Sequence, residues 1–186
     1  MIKDYPNLKR RPFLMPIWLA AIAGAAVVGF STWLWNTADS TTVIVVRDAE
    51  SAPGATADRP LNAAGRARAL RLAEMFGGGA PMGRLTAIYV EPTARSGLTA
   101  APLAQRLGMA AVSDAGENPR TLAHRVLADH SGGRILVVSD DARLPRLLAA
   151  LRGGGRQPPI GPPDHAAIYI VGVPRIGRPN LLSLRY

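Results

Sequence analysis

The chain has 186 residues, 22 Lys plus Arg against 13 Asp plus Glu, three His and no Cys. The lack of Cys excludes a disulfide framework, a thiolate zinc site and a thiol nucleophile. The length suits one ordinary domain rather than two, and a hydrophobic fraction of 48% argues against wholesale disorder.

The formal charge of +9 invites a nucleic-acid reading, but its distribution does not sustain one. Lys3, Lys9, Arg10 and Arg11 crowd the N-terminus; residues 37–186 hold 18 Arg, no Lys and 12 acids, an excess of 18 − 12 = +6. Those Arg are scattered, with no basic tract interleaved with aromatics, so no nucleic-acid partner is expected. The thin excess would favour an anionic ligand where it converges in a cleft.

Residues 1–12 read as a short basic tail. Residues 13–35, FLMPIWLAAIAGAAVVGFSTWLW, are 23 positions without a charge. As a helix they would run about 34 Å, enough for a hydrocarbon core of roughly 30 Å with some tilt. Trp33 and Trp35 stand at the far end, where an interfacial aromatic belt belongs. A cleaved signal peptide fits less well: the apolar run is long for a signal core, and Asn36 occupies the −3 position before Ala38. The expectation is an uncleaved transmembrane anchor. The positive-inside rule puts the N-terminus in the cytoplasm and the rest across the inner membrane, in the periplasm of a Gram-negative host.

Residues 36–41 form a polar linker, and 42–186 the remaining domain. TTVIVV (41–46) reads as a fully buried strand, β-branched and continuous. A Pro/Gly-rich loop follows, then a helix over Leu61–Phe76 that Asn62 can cap. LTAIYV (85–90) is a second buried strand. A short helix over Thr99–Leu107 closes at Gly108, and Ala110–Val112 reads as a short strand. Pro119–Asp129 is a helix, RILVVSD (134–140) a third buried strand, and Leu144–Leu151 a further helix. AAIYIVGV (166–173) and LLSLRY (181–186) pair around the intervening turn. Apolar strands alternating with helices specify an α/β domain of three layers, a mostly parallel sheet flanked by helices. Ligand sites in such sheets form beyond the C-terminal strand ends. Those ends carry Arg47, Asp48 and Glu50, then Glu91 and Arg95, then Ser139, Asp140 and Asp141.

At these residues the sequence resembles the histidine phosphatase superfamily, the phosphoglycerate-mutase-like fold. The family's Arg-His-Gly/Ala after the first strand, often followed by Glu, is matched by Arg47-Asp48-Ala49-Glu50. Its Leu-Thr-x-x-Gly-x-x-x-Ala segment is matched by Leu61-Asn62-Ala63-Ala64-Gly65-Arg66-Ala67-Arg68-Ala69. Its Ser-Pro-x-x-Arg element is matched by Glu91-Pro92-Thr93-Ala94-Arg95, and its Gly-His-Ser by Ser139-Asp140-Asp141. The likeness covers about residues 42–186 and implies that fold.

The resemblance also implies a departure. The family uses the first histidine as nucleophile, with the second histidine and two arginines holding the phosphoryl group. Arg47 and Arg95 match; Asp48 and Asp140 stand in the histidine positions. His124, His130 and His165 read as surface or loop residues. Two carboxylates repel a phosphate dianion, at a cost of several kcal/mol at a few ångströms even for an effective dielectric of about 20. They would pair with Arg47 and Arg95, or one would take up a proton. Glu91 adds a further carboxylate, Glu50 is placed to orient the first loop, and Asp141 to cap the helix that follows.

The reading is a membrane-anchored pseudo-phosphatase serving in binding or assembly, including as an accessory subunit beside other membrane-protein subunits, with no cofactor and no resident metal. The alternative is a residual phosphatase using Asp48 as nucleophile, or a carboxylate-bound divalent metal.

Overall fold

The computed structural model describes residues 17–37, 40–52, 60–78, 83–114, 118–154, 160 and 165–185. The chain divides into two units, Met1–Thr37 and Ala38–Tyr186.

In the first unit α1 (Ile17–Thr37) is a 21-residue helix with no charged residue. The side chains described along it, 18–34, are exposed all round, Trp18, Ile22, Val27, Val28 and Phe30 among them. Among the described residues, no helix is long and apolar enough to cross a membrane. The basic tail 1–12 and positions 13–16 of the expected span lie outside those residues.

The second unit is one six-stranded sheet. Its strands are β1 (Ser40–Arg47), β2 (Ala87–Val90), β3 (Ala111–Ser113), β4 (Arg134–Ser139), β5 (Ala167–Pro174) and β6 (Asn180–Arg185), in the order β3-β2-β4-β1-β5-β6. β3, β2, β4 and β1 are mutually parallel. β5 returns antiparallel to β1, and β6 pairs antiparallel with β5 at the sheet edge. The late strands thus pair as their sequence suggests.

Four helices cover the faces: α2 (Ala63–Phe76), α3 (Ala94–Leu107), α4 (Pro119–Asp129) and α5 (Leu144–Leu151). Alternation along β1 divides the core. Val43 and Val45 pack with Val137, Leu122, Val126, Leu144 and Leu148 on the α4/α5 side. Ile44 and Val46 pack with Val138, Leu72, Phe76 and Leu103 on the α2/α3 side. A strand buried on both faces reads as an unbroken apolar run, which is why VIVV and ILVV stand out in the sequence. Each such side chain, fully buried, contributes about 1.5–3 kcal/mol.

Two helix starts differ from expectation. α2 starts at Ala63 because Asn62 is its cap, accepting from Gly65 N at 2.8 Å. α3 starts at Ala94, five residues before the expected Thr99. Thr93 Oγ1 accepts from Ser96 N at 3.2 Å, so the helix begins there and takes in Arg95. It ends at Gly108, whose φ of +63° glycine adopts without a Cβ penalty.

Candidate functional site

Register brings the strand ends together. Arg47 lies opposite Ser139, and Val90 opposite Val138. Asp48, Asp140 and Glu91 are therefore the first residues beyond three adjacent parallel strands, where an α/β sheet places its cleft.

Asp48 is 2% exposed. Its Oδ1 accepts from Ser96 Oγ at 2.6 Å and its Oδ2 from Arg95 Nε at 2.9 Å. Both donors stand on the first turn of α3, aimed by the Thr93 cap; Thr93 Oγ1 also donates to Ser96 Oγ at 2.9 Å. Thr99 ties the same loop down, accepting from Ala49 N at 3.0 Å. Burial pushes the Asp48 carboxyl up from its ordinary value, while the Ser96 hydrogen bond and the Arg95 charge pull it back; the charge of Asp140 adds to the rise.

Arg47 departs from the expected pairing. Its Nη1 lies 2.7 Å from Asp141 Oδ1, not on Asp140. The reason is local: Asp140 Oδ1 accepts from Arg143 N at 2.7 Å and its carbonyl accepts from Leu144 N at 3.1 Å, so Asp140 is held at the start of α5. α5 thus has no side-chain cap at its N-terminus, neither Asp141 nor Asp140; Asp140 holds the turn 141–143 that leads into it, and Asp141 takes the ion pair with Arg47. Arg47 is 4% exposed, and Asp141, at 47%, meets it as an ion pair without aligned geometry. Neither Nε nor Nη1 of Arg47 has a hydrogen-bond partner among the described residues.

Glu91 is not a free carboxylate in the cleft. Its Oε1 accepts from Ser139 Oγ at 2.7 Å and Asp140 N at 2.8 Å, latching β2 to the end of β4. Its Oε2 lies 3.6 Å from Arg143 Nη1, and Arg143 Nη2 lies 2.8 Å from the buried Asp114. Burial pushes the Glu91 carboxyl up, and its hydrogen bonds pull it down.

Glu50 meets Arg68 of α2 through a fork of 2.6 and 2.9 Å. That hydrogen bonding holds its carboxyl below the ordinary value. Its backbone carbonyl accepts from Asn62 N at 3.0 Å, so the loop after β1 is tied to α2, the orienting role expected of it.

Of the histidines, His124 is exposed on α4 and His130 meets Tyr89 Oη at 3.1 Å, away from these strand ends. His165 is different. Its Nδ1 lies 2.8 Å from the Asp48 backbone oxygen. It precedes β5, which pairs antiparallel with β1 through Val46 and Ile168, so the chain entering β5 runs beside the chain leaving β1. No local motif signals that approach. Among the described residues, no group of three or more His, Asp or Glu is placed to hold a metal ion.

The arrangement offers one buried guanidinium paired with the half-exposed Asp141, a second guanidinium whose Nε is committed to Asp48, and an imidazole at the same loop. No family model matches the chain, and no curated protein matches it. Its structure is similar to that of the protein histidine phosphatase SixA complexed with tungstate, with a TM-score of 0.63 and 19% identity over 77% of this chain and 96% of that one. A mycobacterial glucosyl-3-phosphoglycerate phosphatase matches with a TM-score of 0.60 and 16% identity, over 72% of this chain and 90% of that one. A mycobacterial hydrolase matches at 0.59 and 15% identity, over 79% of this chain and 99% of that one. The second unit has the histidine-phosphatase fold.

Proposed function

We propose that this chain is a membrane-anchored pseudo-phosphatase: a histidine-phosphatase-fold domain that binds a phosphate-bearing ligand or partner without transferring the phosphoryl group. One observation carries the reading. Asp48, beyond β1, is buried and locked by Ser96 and Arg95. A nucleophile must reach the reacting phosphorus, and this buried carboxylate is pinned with one oxygen on each donor. It also places a negative charge where a phosphate dianion would settle, and it occupies the Nε of one of the two arginines. Arg47, by contrast, meets only the half-exposed Asp141, a partner that an anion could replace.

The anchor is supported by the uncharged stretch 13–35 and by the basic residues that precede it. In this reading the N-terminus is cytoplasmic and the domain lies across the inner membrane, as an accessory subunit beside other membrane proteins. Resistance of the full chain to alkaline carbonate extraction tests the anchor; release into the supernatant would refute it.

The chemical test uses full-length protein in mild detergent with p-nitrophenyl phosphate. No turnover is expected from the natural sequence. Hydrolysis that disappears in Asp48→Ala would overturn the reading and assign Asp48 as nucleophile. Turnover by the Asp48→His, Asp140→His double variant would show that the remaining pocket still accepts a phosphoryl group.

A further inference from the structure

The two edges of the sheet are unlike. β3 is three residues long, a short edge with little to pair. β6 is six residues, NLLSLR, with no Pro, no Lys and no acid, and its one charge, Arg185, stands at the end. It lacks the prolines and mid-strand charges that keep an open edge from pairing. Among the described residues no strand lies on its outer side.

The ladder shows which main-chain groups that edge leaves open. Thr42 N donates to the carbonyl of Gly133, which leads into β4, so Gly172, its partner on β5, turns the other way. Gly172 N accordingly donates to Asn180 Oδ1 at 3.0 Å, at the start of β6. Hydrogen-bonded and non-hydrogen-bonded pairs alternate along an antiparallel ladder. Asn180, Leu182 and Leu184 therefore turn their main-chain groups to β5, and Leu181 and Ser183 turn theirs outwards. The side chains alternate as well. Leu182 and Leu184 stand beside Ile170 and Ile168 and prolong the apolar layer on the α2/α3 side of the sheet. They are 54% and 42% exposed.

A second β6 fits both patterns. A two-fold axis through Ser183, perpendicular to the sheet, runs the second strand antiparallel to the first. It sets Ser183 opposite the partner's Ser183, where the outward groups exchange two N–H···O bonds. Leu182 meets the partner's Leu184, and Leu184 the partner's Leu182, apolar pairs on one face. Arg185 falls opposite the partner's Leu181, so no like charges meet. An axis through Leu182 would instead set Leu184 against the polar Asn180.

We propose that β6 is a dimerisation edge, at which two copies of this chain join antiparallel about Ser183 into one continuous sheet. The proposal is independent of the anion-site reading.

Full-length protein in mild detergent is measured by size exclusion with multi-angle light scattering, which separates protein mass from detergent mass. Twice the mass of one chain is expected. Leu182→Lys, a charge at an already exposed position of the edge, should return it to the mass of one chain, with circular dichroism confirming the fold. The chain has no Cys, so single Cys variants report the register independently. Ser183→Cys sets two thiols on a pair whose Cα atoms are about 5.5 Å apart, and a short bis-methanethiosulfonate should join the subunits. Leu181→Cys sets them about 14 Å apart along the strands and should leave them unjoined. A single-chain mass for the natural sequence would overturn the proposal, as would an undiminished dimer in Leu182→Lys or a dimer that Ser183→Cys fails to link. Linkage as efficient at position 181 as at 183 would overturn the pairing about Ser183.

Discussion

Glu91 offers the sharpest test of how the strand ends are held. Replacing it with Ala strips the acceptor from two groups: the Ser139 hydroxyl at 2.7 Å and the Asp140 amide at 2.8 Å. Ser139 is buried and Asp140 half-buried, so water replaces neither bond fully. An unsatisfied buried polar group costs about 1–3 kcal/mol. The hydroxyl can turn towards another acceptor, so the pair sums to about 2–4 kcal/mol, or about 5–15 °C in Tm for a chain of this size. Glu91→Gln keeps a carbonyl in the place of Oε1. It loses the 3.6 Å contact with Arg143, which retains Asp114 at 2.8 Å, and a cost below about 1 kcal/mol is expected. The two variants also separate by pH. Burial raises the folded carboxyl above its ordinary 4.5, so its contribution is fully present below that value and is lost as pH rises through the folded one. Glu91→Gln, which has no charge to bury, should gain on the natural sequence as pH rises from that value towards neutrality. Thermal unfolding of the full chain in detergent, followed by circular dichroism, measures both effects. Equal melting temperatures for the Ala and Gln variants would refute the latch, and a Gln variant that gains only on acidification would refute the direction assigned to burial.

Four further outcomes follow from the same geometry. Asp140→Ala should loosen the turn 141–143 that leads into α5 and cost about 1 kcal/mol in thermal unfolding; Asp141→Ala should leave that turn intact and instead tighten sulfate binding, because it releases Arg47. A Cβ at position 65 would run into the backbone carbonyl of Glu50, so Gly65→Ala should destabilise by about 1–3 kcal/mol, read as a lower Tm. The Arg68 fork lowers the Glu50 carboxyl, which means its contribution is present above the ordinary 4.5 and is lost as pH falls. Glu50→Gln should therefore flatten the acid side of the Tm-against-pH curve; a curve as steep as that of the natural sequence would contradict the pairing.

The layers of the sheet were legible because burial on both faces leaves a signature along the chain itself. VIVV and ILVV have no polar position to spare, and the residue after each run is bound to stand at a strand end. Arg47, Asp48 and Asp140 could therefore be placed before any side chain was. The start of α3 was less legible. Thr93 looks like any loop residue until its hydroxyl is seen accepting from Ser96 N, and that cap carries Arg95 onto a helix turn, within reach of Asp48. His165 was illegible for a different reason: 117 residues separate it from Asp48, and only the antiparallel return of β5 along β1 brings them together.

Asp140 and Asp141 show how backbone geometry overrides charge counting. Both are one or two residues past β4, and both could satisfy Arg47 on electrostatic grounds. The turn that leads into α5 settles the competition, because its Arg143 amide needs an acceptor. The Arg143 amide takes Asp140, which fixes that side chain toward the helix. Arg47 is left with the more exposed neighbour, in a contact that aligns no hydrogen bond. A pair open to water on its Asp141 side and without aligned hydrogen bonds contributes less than two aligned charge-assisted bonds to an oxyanion would. Asp141 is therefore the partner that a ligand can displace, whereas Asp48, buried and aligned on Arg95 and Ser96, is the one it cannot. The two arginines of the cleft are therefore unequal: Arg95 is aligned on a buried carboxylate, and Arg47 is paired with a half-exposed one.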